Sequence, residues 1–93
     1  MNHDVVKNEA RSRYELEIDG RVVSFAEYVI DNGTITFTHT ITQAAERGQG
    51  YAAIVVRAAL EDARKKNLAV RPQCWYVAEF IDANAEYADL LSA

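Results

Sequence analysis

Two dipeptides, Asp19-Gly20 and Asn32-Gly33, dictate how the first half of this chain can fold. A type I′ hairpin turn needs φ > 0 at both central residues, and Asp-Gly and Asn-Gly meet that need at little steric cost. The runs they join are therefore antiparallel neighbours: Arg13 to Ile18, Val22 to Ile30 and Thr34 to Thr42. In the first, Tyr14, Leu16 and Ile18 alternate with Arg13, Glu15 and Glu17, the pattern of a half-buried strand. The second carries apolar residues on both faces. In the third, every odd-numbered position falls on one face, so that His39 shares the side of Ile35, Phe37 and Ile41, and five threonines occupy the other. The threonine row reads as a solvated or cross-strand-paired face, with no site on it. His39 reads either as a partly buried ring bonded to a carbonyl or as a base.

Before this meander, Met1 to Ser12 is mostly polar and reads as a loose terminus with a short edge strand at Asp4 to Lys7. After it, Gln43 to Glu46 leads into Arg47-Gly48-Gln49-Gly50-Tyr51-Ala52, where two glycines meet a helix that runs to about Lys66. Ala52, Val55, Val56, Ala59, Leu60 and Ala63 form its apolar stripe, and Arg57/Glu61, Glu61/Lys65 and Asp62/Lys66 stand as i, i+4 ion pairs on the wet side. Arg64-Lys65-Lys66 reads as a solvated basic helix end, and Asn67 suits a left-handed cap. Leu68 to Cys74 follows as a strand that Pro72 places near an edge. Trp75 to Ala83 and the series Tyr87, Leu90, Leu91 then read as one or two short closing helices.

A chain of 93 residues supports one core, so residues 1–93 read as a single domain, monomeric or in a small homo-oligomer. The net charge of −4 leaves no broad cationic surface for nucleic acid. Cys74 is the only cysteine, so no internal disulfide forms and no zinc site is assembled from thiolates of one chain. No apolar run approaches the roughly 20 residues that cross a bilayer, and the N-terminus lacks a secretory pattern. A reducing cytoplasm is the expected setting.

A glycine-softened helix start offers unpaired N–H groups at the positive end of the macrodipole, which suits a phosphate. Gly48-Gln49-Gly50-Tyr51-Ala52-Ala53 also fits G-x-G-x-x-A, but a dinucleotide fold needs a βαβ opening, an acid about 20 residues on and a second half, all missing here. No Lys-Ser or Lys-Thr follows the glycines, so a Walker loop fails too. A purely structural turn is the remaining alternative.

The pattern left is R-x-x-G-x-A opening a helix after an antiparallel meander, and it resembles the acetyl-CoA pyrophosphate loop of the GNAT superfamily of N-acetyltransferases. The succession His39-Thr40, Arg47-Gly48-Gln49-Gly50, Cys74 after a proline-containing strand, Tyr76-Val77 and Glu86-Tyr87-Ala88-Asp89-Leu90 resembles its short single-domain branch over roughly Arg13 to Leu91. The chain departs from that branch at Ile41-Thr42, where Glu-Val is usual, at Trp75, where proline often follows the cysteine, and at Asn84-Ala85, where His-Pro or Asn-Pro is frequent.

The resemblance implies an α+β fold: an antiparallel meander, a central helix after the glycine loop, one further strand and short C-terminal helices. It also implies that Thr34 to Thr42 and Leu68 to Cys74 splay around the pantetheine arm of acetyl-CoA. The N–H groups of Arg47, Gly48, Gln49, Gly50, Tyr51 and Ala52 would hold the pyrophosphate, aided by the Arg47 charge. The acceptor would be a small amine or a lysine side chain. In direct transfer His39 would deprotonate that amine, whereas in a covalent route Cys74 would first take the acetyl group, with Tyr76 or Tyr87 protonating the leaving thiolate. A module that binds coenzyme A without turnover and an interaction protein with a merely structural glycine turn are the other readings. Glu27 and Glu46 read as surface charges.

Overall fold

Side-chain direction in a strand alternates with period two, so one extra residue in a ladder reverses every face assignment beyond it. That effect shapes this protein. The computed structural model describes residues 3–91 and contains one five-stranded sheet with strands in chain order. These are β1 (His3–Asn8), β2 (Arg13–Ile18), β3 (Arg21–Asp31), β4 (Thr34–Thr42) and β5 (Ala69–Pro72). The first four pair antiparallel, and β5 lies parallel to β4. Both expected hairpin turns form, with φ of 51° and 79° at Asp19-Gly20 and 49° and 75° at Asn32-Gly33.

Helix α1 (Tyr51–Lys65) crosses one face of the sheet and ends as expected on Asn67, whose φ is 55°. There the Leu68 N–H returns to the Ala63 carbonyl at 2.9 Å. Helix α2 (Trp75–Ala83) and a 3₁₀ turn (Ala85–Leu90) close the chain. Leu16, Val23, Ile35, Val55, Leu60, Val70 and Val77 are wholly buried where sheet and helices meet. Each such side chain stabilises the fold by ~1.5–3 kcal/mol relative to exposure.

The N-terminal segment is better ordered than its polarity suggests. β1 pairs with β2 along all six of its residues, and the expected strand Asp4 to Lys7 lies within it. The start of the expected loose terminus, Met1-Asn2, falls outside the described residues. What holds β1 is the face it turns to α1. The Lys7 ammonium stands 5.6 and 5.5 Å from the ring centroids of Tyr14 and Tyr28, and the His3 ring meets Tyr51 edge-on at 6.1 Å.

Two bulges break the alternation. In β3, Leu16 faces Ser24 and Glu17 faces Val22, leaving Val23 as an extra residue that is driven into the core. In β4, Tyr28 faces Phe37 and Glu27 faces His39, leaving Thr38 unpaired across the ladder, with its hydroxyl donating to the Glu27 carbonyl at 3.4 Å. The expected face assignment of β4 is therefore corrected. Ile35 and Phe37 are buried under α1, but beyond Thr38 it is Thr40 and Thr42 that face that side, while His39 and Ile41 emerge on the other. The threonine row is not one solvated face.

Of the three expected ion pairs on α1, Asp62–Lys66 forms at 3.0 Å. Arg57 and Glu61 are spent elsewhere. Arg57 reaches the Tyr87 hydroxyl at 3.1 Å and Asn84 Oδ1 at 3.1 Å, while Glu61 accepts from the Tyr87 hydroxyl at 2.6 Å. Arg64, expected to be merely solvated, forks onto Asp89 at 2.8 and 3.0 Å and donates to the Glu86 carbonyl. The closing turn thus takes Arg57, Glu61 and Arg64 as tertiary partners in place of local pairing.

Tyr14 donates to Asp62 at 2.6 Å and ties β2 to α1. Burial and the Asp62 hydrogen bond push the Tyr14 hydroxyl far up, so it stays a donor. Burial alone would raise the Asp62 pKa, but the hydrogen bonds from Tyr14 and Lys66 and the charges of Lys66 and Lys7 hold it below 3.8. A depressed folded-state value stabilises above the unfolded one, and that contribution fades as pH falls through the folded value. Tyr14→Phe should cost about 1–2 kcal/mol in urea unfolding at pH 7. The loss should shrink in strong acid, as pH falls through the depressed folded-state value of Asp62.

Candidate active site

β4 and β5 stay paired only from Thr34/Ala69 to Phe37/Pro72. Pro72 brings no N–H to continue the ladder and the Thr38 bulge bends β4 away, so the strands part. The last tie is the Cys74 N–H to the Phe37 carbonyl at 2.8 Å. Beyond it lies a cleft of about 360 Å³, with Thr40 to Thr42 on one bank, Cys74 to Tyr76 on the other, and Arg47 and Ala52 at its end. A cavity of similar size, about 370 Å³, sits under β1 among Lys7, Tyr14, Asp62 and Lys66. Its polar side chains largely pair with one another, which makes the cleft the stronger candidate.

The end of the cleft is built for an anion. Gly48 and Gly50 have φ of 86° and 78°, and Gly50 is the N-cap of α1. A Cβ at either glycine would meet nothing within 4 Å, so the backbone conformation rather than crowding requires glycine there. The first bond of the helix runs from the Ile54 N–H to the Gly50 carbonyl at 3.4 Å. The N–H groups from Gly48 to Ala53 find no acceptor among the described residues, and no acidic side chain lies in the first turn to compete for them. The exposed Arg47 is steadied by its Nε bond to the Thr42 carbonyl at 3.3 Å. Unpaired donors, a helix N-terminus and a guanidinium together fit a pyrophosphate.

Cys74 is the N-cap of α2 and is 8% exposed. Its sulfur lies 3.5 Å from the Thr40 hydroxyl. Burial raises the thiol pKa, but hydrogen bonding from the Thr40 hydroxyl and from the N–H groups of Val77, Tyr76 and Thr40 outweighs it, so the net displacement is downward. The Tyr76 and Val77 groups act on the sulfur without the geometry of a full capping bond. This is how a protein activates a thiolate. Burial holds the half-buried Tyr76 hydroxyl above its ordinary value and therefore protonated.

Two expected site residues are elsewhere. His39, displaced by the Thr38 bulge, has a side chain 68% exposed on the outer face, with Nδ1 3.5 Å from Glu27 Oε1. It shares neither the face of Phe37 nor that of Thr40. Tyr87, proposed from sequence as a proton donor, is 1% exposed, and its only proton is already donated to Glu61. Its place is structural. Sequence reasoning passed over Thr40, since nothing in the threonine run announces a bulge. Trp75 was visible as a departure from proline, and the structure makes it a wall of the cleft.

An antiparallel meander followed by a glycine loop, a helix and a parallel strand that parts from the last antiparallel one defines a GNAT-like α+β acetyltransferase fold. The profile of the GCN5-related N-acetyl-transferase family matches residues 13–90, and the chain belongs to that family. A GCN5-like protein from Staphylococcus aureus superposes with a TM-score of 0.66 at 19% identity, covering 97% of this chain and 88% of its own. The ribosomal-protein-S18-alanine N-acetyltransferase of Escherichia coli gives a TM-score of 0.59 at 15% identity over 62% of this chain, which spans 38% of that enzyme. A ribosomal-protein-alanine N-acetyltransferase from Brucella melitensis gives 0.54 at 17% identity, covering 89% of this chain and 65% of its own. No curated protein sequence matches significantly. Among the described residues no helix is long and apolar enough to cross a membrane.

Replacing Thr40 with valine removes one of the groups holding the thiolate. The pH midpoint of Cys74 alkylation by iodoacetamide should move upward, and the rate at pH 7 should fall by about threefold. An unchanged midpoint would remove Thr40 from the activation of the thiol.

Proposed function

We propose that this protein is an acetyl-CoA-dependent N-acetyltransferase acting on a small amine or a lysine side chain. The observation that carries the reading is one cleft lined at its end by Arg47 and Ala52, residues of the loop whose N–H groups from Gly48 to Ala53 are unpaired, and on its bank by Cys74. Acetyl-CoA supplies a thioester acyl group. Arg47 to Ala52 hold its pyrophosphate, the banks of the cleft take the pantetheine arm, and the Thr40 N–H beside the sulfur can receive the oxyanion.

Two routes use these residues. In the covalent route the Cys74 thiolate forms a new C–S bond to the acetyl carbon. The bond to coenzyme A breaks, and Tyr76 protonates the departing thiolate. A neutral amine then displaces Cys74. In the direct route the amine attacks the thioester itself, the C–S bond to coenzyme A breaks, and Tyr76 protonates the departing thiolate. In both routes the amine gives its surplus proton to water at the open mouth of the cleft, since His39, paired with Glu27 on the outer face, does not line it. A second reading, a coenzyme A binding module with little turnover, draws support from the position of His39 outside the cleft lining. A cytoplasmic, reducing setting would keep Cys74 free.

Calorimetric titration should show heat with acetyl-CoA and with coenzyme A but not with NAD; silence with both thio compounds would sink both readings. Gly50→Leu puts a branched residue where φ is 78°, a conformation it resists, so the loop that sets the unpaired N–H groups should shift and acetyl-CoA affinity should drop by at least about tenfold while circular dichroism is retained. After incubation with acetyl-CoA, mass spectrometry should find an acetyl adduct that is lost in Cys74→Ala. Unchanged turnover in that variant would assign the direct route.

A further inference from the structure

The chain has three lysines, Lys7, Lys65 and Lys66, and all three line the second cavity, the space of about 370 Å³ under β1 and against α1. None of them takes part in the chemistry of the cleft. Lys7 is the most enclosed of the three. Its side chain is 18% exposed, against 46% for that of Lys66, and Lys65 is exposed.

The titratable groups around Lys7 come from several elements. Asp62, Lys66, Lys65 and Glu61 stand on α1, Glu9 follows β1, and Tyr14 and Tyr28 belong to β2 and β3. Their carboxylates are already shared out. Glu61 accepts from Tyr87 at 2.6 Å, and Asp62 accepts from Tyr14 at 2.6 Å and pairs with Lys66 at 3.0 Å. Lys7 Nζ is left 4.0 Å from both Asp62 and the solvent-exposed Glu9, beyond hydrogen-bond reach. Two ammonium groups thus compete for Asp62, and Lys66 holds it.

Hydrogen bonding to the Lys66 ammonium, desolvation and the Lys66 charge lower the Lys7 pKa against the pull of Asp62 and Glu9. The contacts with Lys7 and Asp62 raise that of Lys66. Two like groups pushed apart in this way divide their roles, so Lys66 keeps its proton and Lys7 releases its own first. The rings of Tyr14 and Tyr28, 5.6 and 5.5 Å away, favour the ammonium and hold the nitrogen at the cavity wall. The neutral amine is therefore the minor form at pH 7 and the reactive one.

We propose that Lys7 is an acylation site of this protein, modified in the cavity by small activated acyl donors, thioesters and acyl phosphates. The neutral ε-nitrogen bonds to the acyl carbon. The bond from that carbon to the donor's sulfur or phosphate oxygen breaks, and the proton shed by the nitrogen goes to the leaving group. The Lys66–Asp62 pair is untouched. The product is a neutral amide, so β1 loses the cation that the two rings hold. Neither donor has to enter the cleft.

The test incubates the full chain with acetyl phosphate and, separately, with acetyl-CoA at pH 8, and follows acetylation of each lysine by peptide mass spectrometry. With both donors Lys7 should react at least about threefold faster than Lys65 or Lys66, in the native chain and in Cys74→Ala alike. The pH midpoint of Lys7 labelling should lie below the ordinary lysine range and move upward in Lys66→Met, which leaves Asp62 to Lys7. Equal rates at the three lysines, a midpoint that does not move in Lys66→Met, or Lys7 acetylation that is lost in Cys74→Ala would overturn the proposal.

Discussion

The parting of β4 from β5 is the constraint on which the candidate site depends. A parallel ladder is held by evenly spaced N–H to carbonyl bonds, and here it stops after Phe37/Pro72 because one strand bulges and the other contributes a proline. The Cys74 N–H then bonds the Phe37 carbonyl, so the cysteine is anchored at the point of divergence. A single backbone bond places the sulfur at the apex of the cleft.

The outer half of β4 must stay rigid for that geometry to be useful, and the contacts with β3 supply the rigidity. Ser24, fully buried, bonds the Ile41 carbonyl at 3.2 Å and the Thr42 hydroxyl at 2.9 Å, so the bank of the cleft is pinned from behind. The opposite bank is held through α1. Arg57 and Arg64 grip Asn84, Tyr87 and Asp89, which fixes the closing turn and with it α2, whose first residues surround the thiol. The ammonium of Lys7 and the Tyr14–Asp62 bond do the same for the far edge, where an isolated first strand would fray.

Local rules were legible residue by residue. Asp19-Gly20 and Asn32-Gly33 turn as their chemistry requires, Asn67 caps α1, and Trp75 to Ala83 is helical over its full expected length. The glycine loop also sits at the helix start, where its spacing placed it. The face of His39, the partner of Thr40 and the destiny of Arg57 were not legible. A bulge has no signature in a run of alternating threonines, and an arginine on a helix has both local and distant carboxylates within reach.

What the sequence alone determined is everything that depends on neighbours along the chain: turns, caps, helix lengths and the donors exposed at Gly48 to Gly50. Tertiary structure decided which faces meet. Where β2, β3 and β4 settle their register by burying Leu16, Tyr28 and Phe37, Val23 and Thr38 are left over as bulges, and the side chains beyond them change sides. The site exists because that packing puts Thr40 next to Cys74 across 34 residues of chain and sends His39 to the other surface.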